Sequence, residues 1–357
     1  MSNNQSLPVR RLGRTDMYVT RVGFGSWAVG GDWAVGWGDQ DDNDSIGAIR
    51  HAVARGVNWI DTAAIYGLGH SEEVVAAALS QIPKSERPYV FTKCGLIPNA
   101  DPKANPLQVG APASIRAEVE ASLRRLGVER IDLYQMHWPA EDGTPLETYW
   151  QTLLDLKQEG KVRAVGLSNH SAAQLAVAEA LGHVDTLQPP FSAIKRQVAA
   201  AELPWCEAHD TGVIVYSPMQ AGLLSGSFSP ERVESLPAND WRSRNAEFRG
   251  DALRRNLAVA EAMREVARRH DVTVADVAVA WTLAWPGVTA AIVGARNPRQ
   301  VDGWLGAATL TLAAADLELI GSVIERRGAG TGPSRPRLPT GQAERAPAGA
   351  VANSSDR

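Results

Sequence analysis

Apolar residues gather in short runs, separated by amphipathic stretches, and the two alternate along most of the 357-residue chain. Strand-like runs lie near 20–25, 57–63, 89–94, 131–137, 162–168, 186–191, 212–217 and 288–293. Helical patterns at 45–55, 71–81, 114–126, 147–159, 171–181, 199–209 and 252–285 fill most of the gaps. Strands alternating with helices predict βαβ units and a parallel sheet. Eight such strands predict an α/β fold closed into a (β/α)8 TIM barrel. An open doubly wound sheet is the structural rival. Ahead of the first unit, Val9–Leu12 and Tyr18–Val22 flank the polar turn Gly13-Arg14-Thr15-Asp16. They predict a hairpin that plugs one end of the barrel.

Two connections, 95–112 and 219–250, are too long for plain strand-to-helix loops. Loops of this length inside a compact domain are usually functional or disordered. Both follow a strand, so both belong to the C-terminal face, where barrels keep their chemistry. They are read as lids. Residues 1–8 form a polar lead-in and 9–327 the barrel. Residues 328–357 are rich in Gly, Pro, Ala and Ser, too poor in apolar surface to offset the entropy of ordering, and are expected to be disordered.

Composition narrows the function. A net charge of −4 gives no electrostatic footprint for nucleic acid or an anionic membrane surface. No signal-peptide core opens the chain and no apolar run is long enough to span a bilayer, so a cytoplasmic location is expected. Two cysteines, Cys94 and Cys206, are too few for a disulfide scaffold or an ordinary zinc site. No metal is expected.

Three consecutive strands end in an ionisable residue: Asp61, Lys93 and His137. Tyr66 follows Asp61 in a Gly-containing loop, and Ser71 is placed to cap the next helix. Each residue has a bland reading as cap, rim charge or packing. Together, at neighbouring strand ends, they compose a proton-transfer site. Asp61 would hold the Lys93 ammonium, and that charge would lower the pKa of the Tyr66 phenol. Tyr66 would protonate a carbonyl oxygen positioned by His137 while hydride reaches the carbon. Trp27, Trp33, Trp37 and Trp138 lie on loops of the same face and, with Tyr66 and His137, are candidates for the substrate pocket. After the last strand, Gly294-Ala295-Arg296-Asn297-Pro298 leads into a short helix, a setting that suits a phosphate. Arg296 there favours NADP(H) over NAD(H), because guanidinium grips a phosphate bidentately.

With these motifs assembled, the chain resembles the aldo-keto reductase superfamily. Residues carrying the resemblance include Gly23–Gly31, Asp-Thr-Ala-Ala-Ile-Tyr-Gly at 61–67, Asp-Leu-Tyr-Gln-Met-His-Trp-Pro at 132–139, Gly-Leu-Ser-Asn at 166–169, Tyr216–Gly226 and Val-Gly-Ala-Arg at 293–296. The pattern is most similar to a bacterial branch with a long final loop. The resemblance implies a catalytic tetrad of Asp61, Tyr66, Lys93 and His137. It implies that Ser168, Asn169 and Gln188 bond the nicotinamide carboxamide and that Tyr216 stacks on the ring. Ser217, Met219, Gly222 and Leu223 would wrap the pyrophosphate, aided by Arg242, with Ser26 and Trp27 touching the cofactor from the first loop. Gly294, Ala295, Arg296 and Gln300 would hold the adenosine end. The chain departs from the pattern at Ser227, where relatives often carry lysine, and at Gly303 and Trp304, where many carry Glu and Asn.

The implied activity is NADP-dependent reduction of small carbonyls, sugars included. Alternatives are a dehydrogenase of sugars, polyols or pyridoxine-type alcohols, and a non-enzymatic cofactor-sensing subunit.

Overall fold

The computed structural model describes residues 6–101, 104–237 and 240–337. Eight parallel strands close a barrel in chain order: β1 (Val22–Gly25), β2 (Trp59–Asp61), β3 (Tyr89–Cys94), β4 (Ile131–Met136), β5 (Val162–Ser168), β6 (Thr186–Gln188), β7 (Gly212–Val215) and β8 (Val288–Gly294). β8 returns to β1 through Ala291↔Val22 to Gly294↔Gly25. The strands are almost wholly buried, and helices pack outside them.

Local chemistry sets where the helices start. Asp41 accepts from Asn43 N and Asp44 N to open Asp42–Ala54. Ser171 and Gln174 form a capping box at Ala172–Leu181. The helix expected over 252–285 is two helices, Gly250–His270 and Val274–Leu283. Asp271 adopts a left-handed conformation at φ 53°, and Thr273 caps the second helix with Asp276. Apolar periodicity runs through this break, so pattern alone did not reveal it.

Val9–Arg11 and Tyr18–Thr20 pair as the expected antiparallel hairpin. Leu12, Met17 and Val19 are fully buried against Trp59, Phe91, Leu133 and Ile214 of the barrel. Each such side chain contributes about 1.5–3 kcal/mol by leaving water. The hairpin therefore closes the end opposite the strand C-termini.

Both long connections carry structure of their own. The first holds a two-stranded ribbon, Leu96–Ile97 against Leu107–Gln108. The second holds the short helix Pro230–Glu234 and 3-10 turns at Trp241–Arg244 and Ala246–Phe248.

The tail expected to be disordered from Gly328 is instead packed as far as residue 337. Buried Arg196 donates from Nε to Pro333 O at 2.9 Å and from Nη2 to Ala329 O at 3.1 Å. Arg335 pairs with Glu318 at 2.7 Å. Main-chain carbonyls and charges anchor this segment, which an argument from apolar content does not register. The remaining tail residues, 338–357, and residues 1–5 lie outside the described residues. Among the described residues, no helix is long and apolar enough to cross a membrane.

Candidate active site

The barrel register brings the strand ends together: Gly25 lies beside Asp61, Asp61 beside Phe91, and Lys93 beside Gln135. Asp61, Lys93 and His137 are all buried. Lys93 Nζ donates to Asp61 Oδ1 at 2.6 Å and to Thr62 O at 2.8 Å. Gln188 Nε2 donates to the other Asp61 oxygen at 2.8 Å. Tyr66 opens a 3-10 turn in which Gly67 and Leu68 have φ of 60° and 56°. A Cβ at Gly67 would meet Gly30 O at 2.3 Å, so the turn packs directly on the first loop. That geometry sets the phenol ring 5.2 Å from Lys93 Nζ, centroid to nitrogen. The His137 ring stands edge-on to it at 5.8 Å. The four predicted groups thus form one cluster.

Burial dominates the electrostatics. It pushes the Tyr66 phenol well above its ordinary pKa, and the charge of Asp61 pushes the same way. Burial is the largest influence on the phenol, so the lowering expected from Lys93 does not prevail in its net shift. Burial lowers Lys93 and raises Asp61, while each opposes the shift in the other. Burial, followed by the charge of Lys93, drives His137 well below its usual value. His137 is a neutral imidazole at physiological pH, and Tyr66 keeps its proton.

Beside the tetrad lies a shelf. The Tyr216 hydroxyl donates to Asn169 Oδ1 at 2.8 Å. Asn169 Nδ2 donates to His137 O at 2.9 Å. Asn169 sits in the left-handed region at φ 64°, which turns its amide inward. Ser168 Oγ donates to Gln188 O at 2.8 Å. Ser168 and Leu223, expected to touch a cofactor, do not line the cavity. The Ser168 hydroxyl is consumed behind Gln188, and Leu223 is fully buried in the core. Ser71 does not cap a helix either: its Oγ bonds the Ser26 hydroxyl at 2.8 Å and ties the first loop down.

The cavity above the tetrad measures about 850 Å³. Its walls include Ser26, Trp27, Trp33, Trp37, Trp138, Tyr216, Ser217, Met219 and Gly222. Arg242, Gly294, Ala295, Arg296 and Gln300 continue them at the far end. Trp27 packs edge-on to Trp37 at 5.2 Å, and Trp241 joins both at 6.2 and 5.9 Å. The Arg242 guanidinium lies over Trp37 at 5.0 Å and is held by Asp240 at 2.6 Å. Arg296 Nε donates to Gln40 Oε1 at 2.5 Å, and its Nη2 donates to Asp39 O. Gln300 Oε1 accepts from Arg296 N at 2.8 Å.

Trp241, Gln40, Asp39 and Arg232 were absent from the sequence expectation. Arg232 lines the cavity beside Ser227, its Nη1 donating to Ser227 O at 2.9 Å. Apart from Arg232, which is in the short helix Pro230–Glu234, these residues sit in irregular connections whose one signal in the sequence is that they follow strands. Among the described residues, no group of three or more His, Cys, Asp or Glu is placed to hold a metal ion.

The model of the Aldo/keto reductase family matches residues 21–325. The chain belongs to this family. Aldo-keto reductase YhdN of Bacillus subtilis is 34% identical over 313 residues, spanning 87% of this chain and 92% of that protein. The NADH-specific methylglyoxal reductase of Escherichia coli is 34% identical over 324 residues, spanning 88% and 97%. The structure of the glycerol dehydrogenase AKR11B4 from Gluconobacter oxydans superposes with a TM-score of 0.82 at 35% identity, covering 93% of this chain and 98% of that one. As an aldo-keto reductase the protein is an oxidoreductase that works with a nicotinamide cofactor. The residues present fit such a group. An aromatic shelf at Tyr216 and an inward amide at Asn169 adjoin the tetrad, while arginines stand at the cavity's far end.

Proposed function

We propose that this aldo-keto reductase reduces small aldehydes and ketones, sugars included, with NADP(H) and with Tyr66 as proton donor. The observation that carries the reading is the Asp61–Lys93–Tyr66–His137 cluster at the foot of an aromatic cavity. The bound cofactor supplies hydride. His137, neutral, hydrogen-bonds the substrate oxygen and fixes its position. Tyr66, protonated at neutral pH, delivers a proton to that oxygen as its charge develops. Asp61 fixes the Lys93 ammonium beneath the phenol, where it steadies the phenolate left behind. Trp27, Trp33, Trp37 and Trp138 line the space for the organic part of the substrate. Asn169 and Gln188 would hold the carboxamide, and Arg296 would take the 2′-phosphate.

Two observations keep NADH as a second reading. The Escherichia coli relative is named NADH-specific. Arg296 is here engaged by Gln40 and Asp39, so a 2′-phosphate has to displace them. The same residues run the reverse reaction, as the glycerol dehydrogenase relative suggests.

The test is a tryptophan-fluorescence titration with NADPH and NADH, followed by steady-state turnover of methylglyoxal, glyceraldehyde and glycerol. Tighter binding of NADPH and faster carbonyl reduction are expected. Tighter NADH binding would transfer the cofactor assignment. Faster alcohol oxidation at neutral pH would reverse the direction. Binding with no turnover of any substrate would point to a sensing subunit.

A further inference from the structure

The Tyr66 turn is held from behind by side chains that do not line the cavity. Glu72, near the start of the helix His70–Ser80, is fully buried, and both its oxygens are used. Oε1 accepts from Thr92 Oγ1 at 2.6 Å, and Oε2 accepts from Arg125 Nε at 2.7 Å. Thr92 immediately precedes Lys93 on β3. Arg125 reaches in from the helix Pro112–Leu126 and lies flat on the end of the Tyr66 turn. A Cβ at Gly69 would sit 2.8 Å from Arg125 Cδ and 3.0 Å from its Nε. One carboxylate therefore ties together the helix that follows Tyr66, the strand that carries Lys93 and the arginine that buttresses the turn.

A buried ion pair is weak evidence for stability, because desolvation cancels much of the attraction and apolar replacements often serve as well. Its placement here asks for another reason. We infer that Glu72 and Arg125 form a brace that fixes the Tyr66 phenol relative to Lys93, which makes them positioning residues for proton transfer. The inference rests on Tyr66 as the proton donor. Glu72 also faces Lys93 electrostatically: burial lowers the Lys93 pKa most, Asp61 opposes that, and Glu72 adds to the opposition. Glu118, on the same helix as Arg125, also feels the Arg125 charge and accepts from Gly95 N at 2.9 Å.

Arg125→Met tests the brace, with Arg125→Lys as its conservative partner. The Arg125 side chain is 24% exposed, so its loss leaves no closed cavity. A shift of about 1 Å at a reacting group can cost about 100-fold. We therefore expect kcat to fall about 10- to 100-fold in Arg125→Met, with the carbonyl KM and the NADPH Kd moving less than about twofold. The alkaline limb of the pH–kcat profile should move with it, and Arg125→Lys should restore most of the rate. Thr92→Val removes only the hydroxyl that meets Glu72 and should shift the same quantities in the same direction; it decides the matter if Arg125→Met does not fold.

A lowered Tm with unchanged kcat and pH profile would reduce the brace to a structural prop and overturn the inference. Tyr66→Phe is measured alongside. Full activity there sinks the donor assignment itself. An inactive Tyr66→Phe with normal Arg125→Met and Thr92→Val sinks the brace alone.

Discussion

The two ends of the cavity are built differently. At the reacting end, the polar groups sit at strand ends, are buried, and are bonded to one another: Lys93 to Asp61 on the adjacent strand, and Gln188 to Asp61 across the barrel mouth. At the far end, Arg296, Gln300, Asp39 and Gln40 belong to loops and helix termini, and the side chains bond across from one loop to another. The reacting end is stiff because the barrel register dictates its distances. The far end is a set of interchangeable polar contacts that a ligand has to re-form. Chemistry in this fold is held by strands, while the far end of the cavity is left to loops, which tolerate change. Ser227, Gly303 and Trp304, where the sequence departs from the pattern it resembles, also line the cavity.

The contrast is broken most severely by removing the proton. Tyr66→Phe should cut carbonyl reduction by about 10²- to 10⁴-fold, the usual share of general acid catalysis. NADPH affinity should hold, since the phenol belongs to the reacting end. Parallel loss of binding in a fluorescence titration would mean that the two ends are not separable.

Next in size is the buried pair. Lys93→Met leaves the Asp61 carboxylate with Gln188 as its side-chain donor. Stripping one partner from a buried ion pair costs about 3–5 kcal/mol. Urea unfolding should show a loss of that order, and Arg296→Met should show almost none. Equal losses would erase the distinction between a stiff end and a loose one.

The stiff interior also sets the response to acid. Burial drives His137 well down, and His170 to about 4. The unfolded chain therefore takes up protons below 6.5 that the folded chain refuses, and stability falls as pH drops through that window. Glu118, pushed up to about 7 by burial, acts oppositely. Its folded form binds a proton before its unfolded form does, so it adds stability as pH falls from 7 towards 4.5. Glu118→Gln should steepen the acid loss by about 2 kcal/mol between pH 7 and pH 5, each tenfold in proton affinity being worth roughly 1.4 kcal/mol. Urea midpoints at pH 7 and pH 5 measure it, and an unchanged slope would contradict the assignment.

The smallest effect sharpens the comparison at its loose end. Arg296→Ala should weaken NADPH about tenfold, in keeping with one charge-assisted contact, and leave NADH almost untouched. Equal weakening of both would place Arg296 on the pyrophosphate rather than on the 2′-phosphate.

The strong legibility of the reacting end in the sequence has the same origin. Asp61, Lys93 and His137 each follow an apolar run, and barrel closure brings such positions together whatever the loops do. Trp241, Gln40 and Asp39 have no such rule, because a loop's path depends on contacts distant in the chain, such as Gln40 to Arg296. Ser71 was expected as a helix cap because hydroxyls favour that place, but burial beside the first loop commits its hydroxyl to Ser26 instead. The end of the packed chain was misjudged for a related reason: Arg196 recruits carbonyl oxygens, which every residue carries and no composition displays.

The hairpin floor carries one more consequence. With Leu12, Met17 and Val19 wedged beneath the barrel, the vessel has a base and opens at its rim. Whatever reaches the strand ends therefore has to come from the rim side, where the cavity lies.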